Sequence, residues 1–517
     1  MNGADLLVKT AVLSGVEICF ANPGTTEMPI VTAFESTPEI KVYLGLFEGV
    51  CTGAADGYGR MLDKPAMTLL HLGPGFANGI ANLHNARRAR SPVVNLVGEH
   101  ATWHRNSDPP LAMDIESLAG TVSGWWRTSR SVQDLATDVD ASVTAARLGQ
   151  VATLIVPHDF QLAECEDRPT LTCATPFDPI DPRSIEAAAS RLQTFPKVAL
   201  MLGGRALRKT SLDAVSRIRK WIGCDLFCQL LPGYIDRGIG LPPVERIPYF
   251  PDQANALLSR YGAVLFAGTA EPVAFFGYPG GRSRILNDEQ EKIILCTDRQ
   301  DVVKALEYLA DALGASPNLS SGNNGSTKIR RPTLPEGSLT AEKACLTLAA
   351  LQPENAIIVD EAVSSGLFYD PLTVGLPPHT ALPGSGGSIG LGIPCATGAA
   401  IACPDRPVIN FQADGSALYT IQALWTQARE GLNVTTLICS NRSYRILQAQ
   451  LTLAGIASGG LKTRALTELT RPAIDWVKTA EGFGVPATTV STAETLAQEL
   501  SKALAEPGPH LVEMLLP

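Results

Sequence analysis

Two short polar segments of the 517-residue chain contain the residue types needed to hold a divalent metal ion and a diphosphate. Asp414-Gly415-Ser416 follows an apolar, strand-like stretch, and Asn441-Arg442-Ser443 follows a second one. A carboxylate, an amide oxygen and a backbone carbonyl near Ser443 are ligands that Mg²⁺ or Ca²⁺ accepts. The backbone N–H groups of Gly415 and Ser416 suit phosphate oxygens. We therefore predict a metal-diphosphate site at Asp414, Asn441 and Ser443, although Asp-Gly is also a common turn dipeptide.

A second candidate segment lies near the start of the chain. The turn Asn22-Pro23-Gly24-Thr25 follows a strand-like stretch at residues 17–20, and Glu48 stands in the apolar stretch 44–49. Burial of a carboxyl group raises its pKa, so Glu48 is expected to keep a proton available. The competing interpretation is a carboxylate that caps the start of a helix.

Taken together, these segments resemble the thiamine-diphosphate enzymes of the acetolactate synthase and benzoylformate decarboxylase family. The resemblance covers nearly the whole chain. The motifs occur in the family's order: Asn22-Pro23-Gly24, Glu48, Ala54-Ala55-Asp56-Gly57-Tyr58, Gly73-Pro74-Gly75 and Asp414-Gly415-Ser416. The resemblance implies thiamine diphosphate and Mg²⁺ as cofactors and a 2-oxo acid as substrate.

The resemblance also implies roles for single residues. Glu48 would hold the proton on the pyrimidine nitrogen of thiamine, and the carbonyl of Gly387 would accept a hydrogen bond from the aminopyrimidine. Ile389 would lie beneath the cofactor, for which ordinary core packing is the alternative. Ser364 would place a hydroxyl near the phosphates, unless it is a helix N-cap. Pro23 and Gly24 would line the cofactor site from the N-terminal turn.

Substrate-facing roles are implied for His71 and Thr25, although a histidine at a strand end and a hydroxyl in a turn are also routine structural features. Three departures from the family pattern bear on the reaction. No histidine occurs in the central stretch 271–278, where the decarboxylase has one. Glu99 stands where acetolactate synthase has glutamine, and Ala413 stands where the family usually has glycine.

Composition and charge limit the class of protein. Hydrophobic residues make up 45% of the chain and charged residues 18%, which indicates a well-buried globular protein. The formal net charge of −9 argues against nucleic acid or an anionic membrane as a partner. Neither a signal peptide nor a membrane span is evident, so a cytoplasmic enzyme is expected. The 11 cysteines lack metal-binding spacing and are interpreted as buried, reduced thiols.

Two linker-like stretches, 166–183 and 315–337, divide the chain into three expected domains: 1–165 (pyrimidine-binding), 184–314 (central, Rossmann-like) and 338–517 (diphosphate-binding). Short apolar strands alternate with helical patterns in each, which predicts α/β domains with doubly wound parallel sheets. Residues 52–71 and 397–415 repeat one helix-strand pattern, beginning Thr-Gly-Ala-Ala, so the outer domains are expected to be two copies of one unit; chance similarity between two such segments is the alternative. Residues 202–205 lack a full nucleotide fingerprint, so the central domain is expected to bind no nucleotide.

The favoured function is an acetolactate-synthase-like carboligase that decarboxylates a 2-oxo acid and forms a C–C bond. A decarboxylase of the benzoylformate type is the alternative. A catalytically weak cofactor-binding homologue that serves a partner is the alternative from another class, motivated by Ala413, Glu99 and the missing histidine. In the family the glutamate and the diphosphate motif meet across a subunit boundary, which implies a homodimer or homotetramer.

Overall fold

The computed structural model describes residues 1–169, 171, 177–277, 280–316, 328–453, 455–456 and 460–517. The chain forms two compact units: residues 1–174, 331–373 and 382–517 make up the first, and residues 175–330 and 374–381 the second. The serine-rich part of the second predicted linker, residues 320–326, lies outside the described residues. No helix of the described chain has the length and apolar character needed to cross a membrane.

The N-terminal part of the first unit is a six-stranded parallel sheet with helices around it. Its strands lie in the order β2-β1-β3-β4-β6-β5. The strands are β1 (Ile18–Asn22), β2 (Lys41–Leu44), β3 (Ala66–Leu70), β4 (Val93–Glu99), β5 (Trp125–Thr128) and β6 (Val151–Pro157). The helices are α1 (Gly3–Leu13), α2 (Met28–Glu35), α3 (Glu48–Leu62), α4 (Leu72–Ala89), α5 (Thr102–Arg105), α6 (Ile115–Val122), α7 (Leu135–Arg147) and α8 (His158–Leu162).

The second unit contains a five-stranded parallel sheet in the order β10-β8-β7-β11-β12. The strands of this sheet are β7 (Val198–Leu202), β8 (Asp225–Cys228), β10 (Glu245–Arg246), β11 (Ala263–Ala267) and β12 (Glu291–Cys296), and β9 (Ile235–Arg237) lies outside it. The helices are α9 (Pro182–Leu192), α10 (Lys209–Ile222), α11 (Pro251–Leu258) and α12 (Val302–Ala312). Strand β9 pairs in antiparallel fashion with residues 379–381, which belong to the same unit.

The C-terminal part of the first unit carries a third sheet, whose parallel strands lie in the order β17-β18-β16-β15-β13. Strand β14 begins in the second unit and ends in the first. The strands are β13 (Ile357–Glu361), β14 (His379–Pro383), β15 (Val408–Ala413), β16 (Val434–Ser440), β17 (Ala487–Val490) and β18 (His510–Leu515). The helices are α13 (Ala341–Leu351), α14 (Gly392–Ala402), α15 (Asp414–Ala417), α16 (Ala423–Glu430), α17 (Arg445–Leu453), α18 (Leu461–Ala465), α19 (Trp476–Gly482) and α20 (Ala493–Ala505). Three parallel-sheet α/β domains are therefore present, as the alternation of strands and helices predicted.

The predicted helix-strand repeat is also confirmed as structure, since α3 precedes β3 and α14 precedes β15. These two helices cross at van der Waals distance through small residues. A Cβ added to Gly398 would lie 1.8 Å from the carbonyl oxygen of Ala54, and one added to Gly57 would lie 2.1 Å from that of Cys395. Backbone packs on backbone at this crossing, so no side chain can be inserted without moving a helix.

A buried ion pair extends the same contact. Arg60 on α3 binds Asp56 through Nε at 2.8 Å and donates from Nη1 to the carbonyl of Pro383, also at 2.8 Å. The side chains of Arg60 and Asp56 are 1% and 0% exposed, and Ser91 donates a further hydrogen bond to Asp56. Because a buried charge needs a partner and further hydrogen bonds, this network fixes α3 against the end of β14.

The cysteines agree with their sequence-based interpretation. The ten cysteines in the described part of the chain are all free, and eight of them are buried. Burial raises the pKa of both Cys51 and Cys395 to about 12, so both remain protonated thiols at neutral pH.

Gly398→Ala is expected to destabilise the protein by about 1–3 kcal/mol, because the new methyl group overpacks a backbone contact. The free energy of unfolding from urea titration measures the effect. Gly482→Ala is the matched control: Gly482 also lies in a helix, but a Cβ there meets nothing within 4 Å. The control should gain up to about 1 kcal/mol from helix propensity. Equal stabilities for the two variants would contradict the proposed close crossing.

Candidate functional site

The predicted metal-diphosphate residues meet at the carboxyl end of the third sheet. Asp414 begins the one-turn helix α15 directly after β15 and is 2% exposed. Its Oδ1 accepts from the N–H of Gly415 at 2.8 Å, and its Oδ2 accepts from the N–H of Arg442 at 2.6 Å. The Oδ1 of Asn441 accepts from the N–H of Ser443 at 2.9 Å, which fixes the amide within its loop. The structure thus brings the two motifs together, as their positions after neighbouring strands β15 and β16 predicted.

The electrostatics of Asp414 favour a cation. Burial raises the pKa of its carboxyl group, while the N–H groups of Gly415 and Arg442 act in the opposite direction. A divalent ion beside the carboxylate would stabilise the charged form. Among the described residues there is no group of three His, Cys, Asp or Glu side chains placed to hold a metal, and the predicted set, with a single carboxylate, is of a different kind.

Ala413 and Ser416 flank this carboxylate with different consequences. Ala413 has φ −81° and ψ 145°, an ordinary extended conformation, so its methyl group causes no backbone strain. The hydroxyl of Ser416 donates to the carbonyl of Ala413 at 3.1 Å and accepts from Nε2 of Gln412 at 2.6 Å. The Ser416 side chain is therefore committed to the fold, which leaves its N–H group as the part suited to phosphate.

Two tyrosines beside the motif were not predicted. The ring of Tyr444 covers Gly415, where an added Cβ would lie 2.5 Å from the ring. The side chain of Tyr419 covers Gly390, where an added Cβ would lie 2.5 Å from Cβ of Tyr419 and 3.3 Å from its ring. Burial and the neighbouring Tyr419 both raise the pKa of Tyr444. Each tyrosine closely follows a motif residue, but a tyrosine in a loop has no pattern that distinguishes it from packing.

The loop between β14 and α14, residues 384–391, carries the predicted aminopyrimidine contacts. Gly386, Gly387 and Gly390 all have positive φ, at 85°, 77° and 97°. Gly387 is exposed and Ile389 is half-buried. Within the described chain, no hydrogen bond reaches the backbone of Gly387 or Ile389. The carbonyl of Gly387 is thus open to a ligand, which fits the group that the family resemblance implies.

Glu361, which our prediction did not include, holds the end of this loop. One carboxylate oxygen accepts from the N–H groups of Gly390 and Leu391 at 2.9 and 3.0 Å, and the other accepts from Gly392 at 2.8 Å. Burial raises its pKa, and the hydrogen bonds from Gln412 and from the loop act in the opposite direction. A glutamate at the end of an apolar strand was the available signal, since such a carboxylate needs nearby donors.

Glu48 is the first residue of α3 and is 9% exposed. Its Oε2 accepts from the amide nitrogen of Asn78 on α4 at 3.0 Å, and its Oε1 faces Gly75. Its burial agrees with the apolar setting predicted from the sequence, and its position at the start of a helix agrees with the competing interpretation. Gly75, in the Gly73-Pro74-Gly75 motif, leaves room for this carboxylate, because a Cβ on Gly75 would lie only 3.0 Å from Oε1 of Glu48.

His71 and the N-terminal turn also meet, through a residue that was missed. Glu27 is fully buried, and its Oε2 accepts from Nδ1 of His71 at 2.7 Å and from the N–H of Gly24 at 2.8 Å. The imidazole stacks on the backbone of Gly24, where an added Cβ would lie 2.2 Å from Nδ1. With Nδ1–H directed to a carboxylate, Nε2 is the nitrogen available for other partners.

The hydroxyl beside His71 belongs to Thr26. Its Oγ1 lies 3.4 Å from Nδ1 of His71 and donates to Oε1 of Glu27 at 2.6 Å. Thr25 is exposed, and Pro23, in the same turn, is half-buried. Direct roles for Thr25 and Pro23 remain predictions.

Two further residues named from the sequence have local structural settings. Ser364 precedes the short 3-10 helix Ser365–Phe368, but its side chain makes no capping hydrogen bond, so the N-cap alternative does not account for it. Glu99 is buried at the end of β4, and its Oε1 accepts from the N–H of His100 at 2.7 Å. In the second unit, the stretch that lacks the histidine of the decarboxylase begins at Glu271. This glutamate forms ion pairs with Arg284 at 3.0 Å and Lys292 at 2.9 Å.

Glu27→Ala is expected to lower the free energy of unfolding by about 1–3 kcal/mol, because it leaves the partly buried donors of His71 and Gly24 without their acceptor. Glu27→Gln should cost less, since an amide oxygen can still accept. Urea titrations measure both, with the exposed Glu39→Ala as the control that should stay within about 0.5 kcal/mol of the parent protein. A Glu27→Ala variant as stable as the control would contradict the buried acceptor role.

Comparison with known proteins agrees with this geometry. Two family models match: thiamine pyrophosphate enzyme, N-terminal TPP binding domain, over residues 1–118, and thiamine pyrophosphate enzyme, C-terminal TPP binding domain, over residues 369–514. Enzymes of this kind use Mg²⁺ together with thiamine pyrophosphate.

Relatives of known name match along the full chain. A Mycobacterium tuberculosis protein named "Putative acetolactate synthase large subunit IlvX" is 44% identical over 100% of this chain and 99% of its own length. Benzoylformate decarboxylase of Pseudomonas aeruginosa is 26% identical, over 97% of this chain and 96% of its own. The solved thiamine diphosphate-dependent 4-hydroxybenzoylformate decarboxylase of Rhodococcus jostii superposes with a TM-score of 0.85 at 22% identity, covering 100% of this chain and 99% of that one. The chain therefore belongs to the thiamine pyrophosphate enzymes, of the acetolactate synthase and benzoylformate decarboxylase type.

Proposed function

We propose that this protein is a thiamine-diphosphate- and Mg²⁺-dependent carboligase that decarboxylates a 2-oxo acid and joins the remaining acyl unit to a second carbonyl compound. The main support for the carboligase is the 44% identity, along the whole chain, to a relative whose name contains acetolactate synthase large subunit. The absence of a histidine from residues 271–277 supports it, because a simple decarboxylase of the benzoylformate type has one there.

The third sheet would hold the cofactor's diphosphate. Asp414, Asn441 and the backbone at Ser443 would bind Mg²⁺, and the N–H groups of Gly415 and Ser416 would face phosphate oxygens. Ser364 has a hydroxyl without a capping partner, which suits it to the same phosphates. Pro23 and Gly24 would contribute from the N-terminal turn.

The cofactor, when bound, supplies a carbon nucleophile for the carbonyl of the 2-oxo acid and stabilises the negative charge left by loss of CO₂. The residues of this chain orient it and move protons. Glu48 would exchange a proton with the pyrimidine nitrogen, Gly387 would accept from the amino group, and Ile389 would set the angle between the two rings. Asn78 holds the carboxylate of Glu48 in one orientation for that transfer.

A decarboxylase is the second candidate, and the hydrogen bond between His71 and Glu27 favours it. Nε2 of a histidine whose Nδ1–H is held by a buried carboxylate is suited to give a proton to a carbon centre. Proton delivery releases an aldehyde, whereas attack on a second carbonyl compound gives a C–C bond. The active form in this proposal is a homodimer or homotetramer in which the glutamate of one chain meets the diphosphate domain of another.

Product analysis separates the two candidates. The purified protein would be incubated with thiamine diphosphate, Mg²⁺ and a panel of 2-oxo acids that includes pyruvate and benzoylformate, and CO₂ and products would be measured. Coupled C–C products support the carboligase, and aldehyde alone supports the decarboxylase. Cofactor binding without CO₂ from any donor would overturn both.

Glu48→Gln is expected to bind the cofactor within about threefold of the parent protein and to lose at least about a hundredfold in turnover, because the proton transfer is removed and the diphosphate contacts are kept. Calorimetry and CO₂ release measure the two quantities. The exposed Glu35→Gln is the control that should match the parent protein in both. Unchanged turnover by Glu48→Gln would exclude the assigned role.

Asp414→Ala is expected to weaken Mg²⁺-dependent cofactor binding by more than about a hundredfold, because the only carboxylate of the metal set is lost. Asp405→Ala is the matched control, an exposed aspartate beyond the other end of β15. Titration of thiamine diphosphate with and without Mg²⁺ measures the loss. Undiminished binding by Asp414→Ala would place the metal elsewhere.

A further inference from the structure

Helix α4 presents three polar side chains to the backbone of the loop at residues 384–391. The Oδ1 of Asn85 accepts from the N–H of Ser388 at 3.2 Å, and its Nδ2 donates to the carbonyl of the same residue at 2.8 Å. Nδ2 of Asn82 donates to the carbonyl of Gly390 at 3.2 Å, and Nε2 of His84 donates to that of Gly386 at 3.2 Å. Helix α4 therefore binds three alternate residues of the loop, Gly386, Ser388 and Gly390.

This alternation determines which loop residues stay open. Gly386, Ser388 and Gly390 direct backbone groups to α4, whereas no hydrogen bond from the described chain reaches Gly387 or Ile389. These two are the residues that would contact the aminopyrimidine. We propose that Asn85 and Asn82 are positioning residues that hold the loop at residues 384–391 in the conformation in which Gly387 and Ile389 face the cofactor.

The orientations of both amides are set by their remaining partners. Nδ2 of Asn85 also donates to Oδ1 of Asn82 at 2.9 Å, and Nδ2 of Asn82 also donates to the carbonyl of Gly49 at 2.8 Å. Gly49 follows Glu48 on α3, so the pair of amides joins the first turn of that helix to the loop. Each asparagine uses both of its N–H bonds, and reversal of either amide would place donor against donor.

The fit is close on the loop side. A Cβ added to Gly386 would lie 2.5 Å from Oδ1 of Asn85 and 2.9 Å from its Cα. The left-handed glycine thus allows the loop to approach α4 closely enough for Asn85 to bind both backbone groups of Ser388.

Loss of Asn82 leaves both carbonyls with another donor, since Thr420 donates to the carbonyl of Gly390 at 2.8 Å and the carbonyl of Gly49 lies in the first turn of α3, where an N–H group of the helix donates to it. The fold should therefore survive the substitution. Asn95 provides a matched control, because it is fully buried in the same domain and its amide bonds Thr68 at 2.8 Å and Thr153 at 3.0 Å, away from the loop.

The test uses the full chain and two readouts, since the inference rests on the proposed function of the loop. Hydrogen exchange of the peptide that contains residues 384–391 is measured without cofactor, and the Kd of thiamine diphosphate with Mg²⁺ is measured by calorimetry. Asn85→Ala should speed exchange at Ser388 and weaken cofactor binding, each by about tenfold or more. Asn82→Ala should have smaller effects in the same direction, and Asn95→Ala should change neither beyond about twofold.

Asn85→Asp adds a second variant: it keeps an acceptor for the N–H of Ser388 but places a buried carboxylate oxygen against the carbonyl of Ser388 and Oδ1 of Asn82, so its Kd should be at least as weak as that of Asn85→Ala. The proposal is overturned if Asn85→Ala leaves loop exchange unchanged, or if the loop loosens while the Kd stays the same. A parent protein that binds no thiamine diphosphate would instead overturn the proposed function, and the exchange data would still decide whether Asn85 holds the loop.

Discussion

The contact of α3 with α14, backbone on backbone, is the constraint on which the arrangement of the first unit depends. At the crossing, Gly57 and Gly398 bring the helices as close as polypeptide allows. Each helix begins at a segment of the candidate site: Glu48 is the first residue of α3, and the loop at residues 384–391 leads directly into α14. A crossing without side chains has no freedom to slide, so the two helix starts are held at a fixed separation.

Around that contact, polar groups replace the apolar packing of an ordinary core. The loop at residues 384–391 is held from one side by Glu361, through three backbone N–H groups, and from the other by the side-chain amides of α4. Arg60 binds the carbonyl of Pro383, just before the loop begins. Apolar side chains could not specify this loop, because four of its eight residues are glycines, which have no side chain to pack. Hydrogen bonds to its backbone are the remaining means of fixing it.

The strands and the fold class could be predicted because their signal is local. Residues 66–70 and 198–202 are apolar runs with clear ends, and they form strands with those bounds. The meeting of Asp414 with the segment at Asn441 was predictable from the two strands that precede them, since the carboxyl ends of adjacent parallel strands meet. Glu27, Glu361 and the asparagines of α4 were not predicted, because their function depends on partners far away in sequence. A glutamate in a turn and an asparagine in a helix have many other uses.

Backbone strain identifies the same region without reference to any motif. Of the seven non-glycine residues with positive φ in the described chain, Asp63 and Arg90 end helices, and Asp108 and Asn355 are of the residue types that tolerate the left-handed region. The other three are Leu72, Val363 and Arg442, with φ of 51°, 49° and 54°. They follow the carboxyl ends of β3, β13 and β16, next to His71, Ser364 and Asn441 respectively.

A leucine and a β-branched valine in this conformation cost stability, and the surrounding structure must impose the conformation. Strain at these three strand ends, each next to a residue of the candidate site, is therefore an indication of that site which does not depend on any motif.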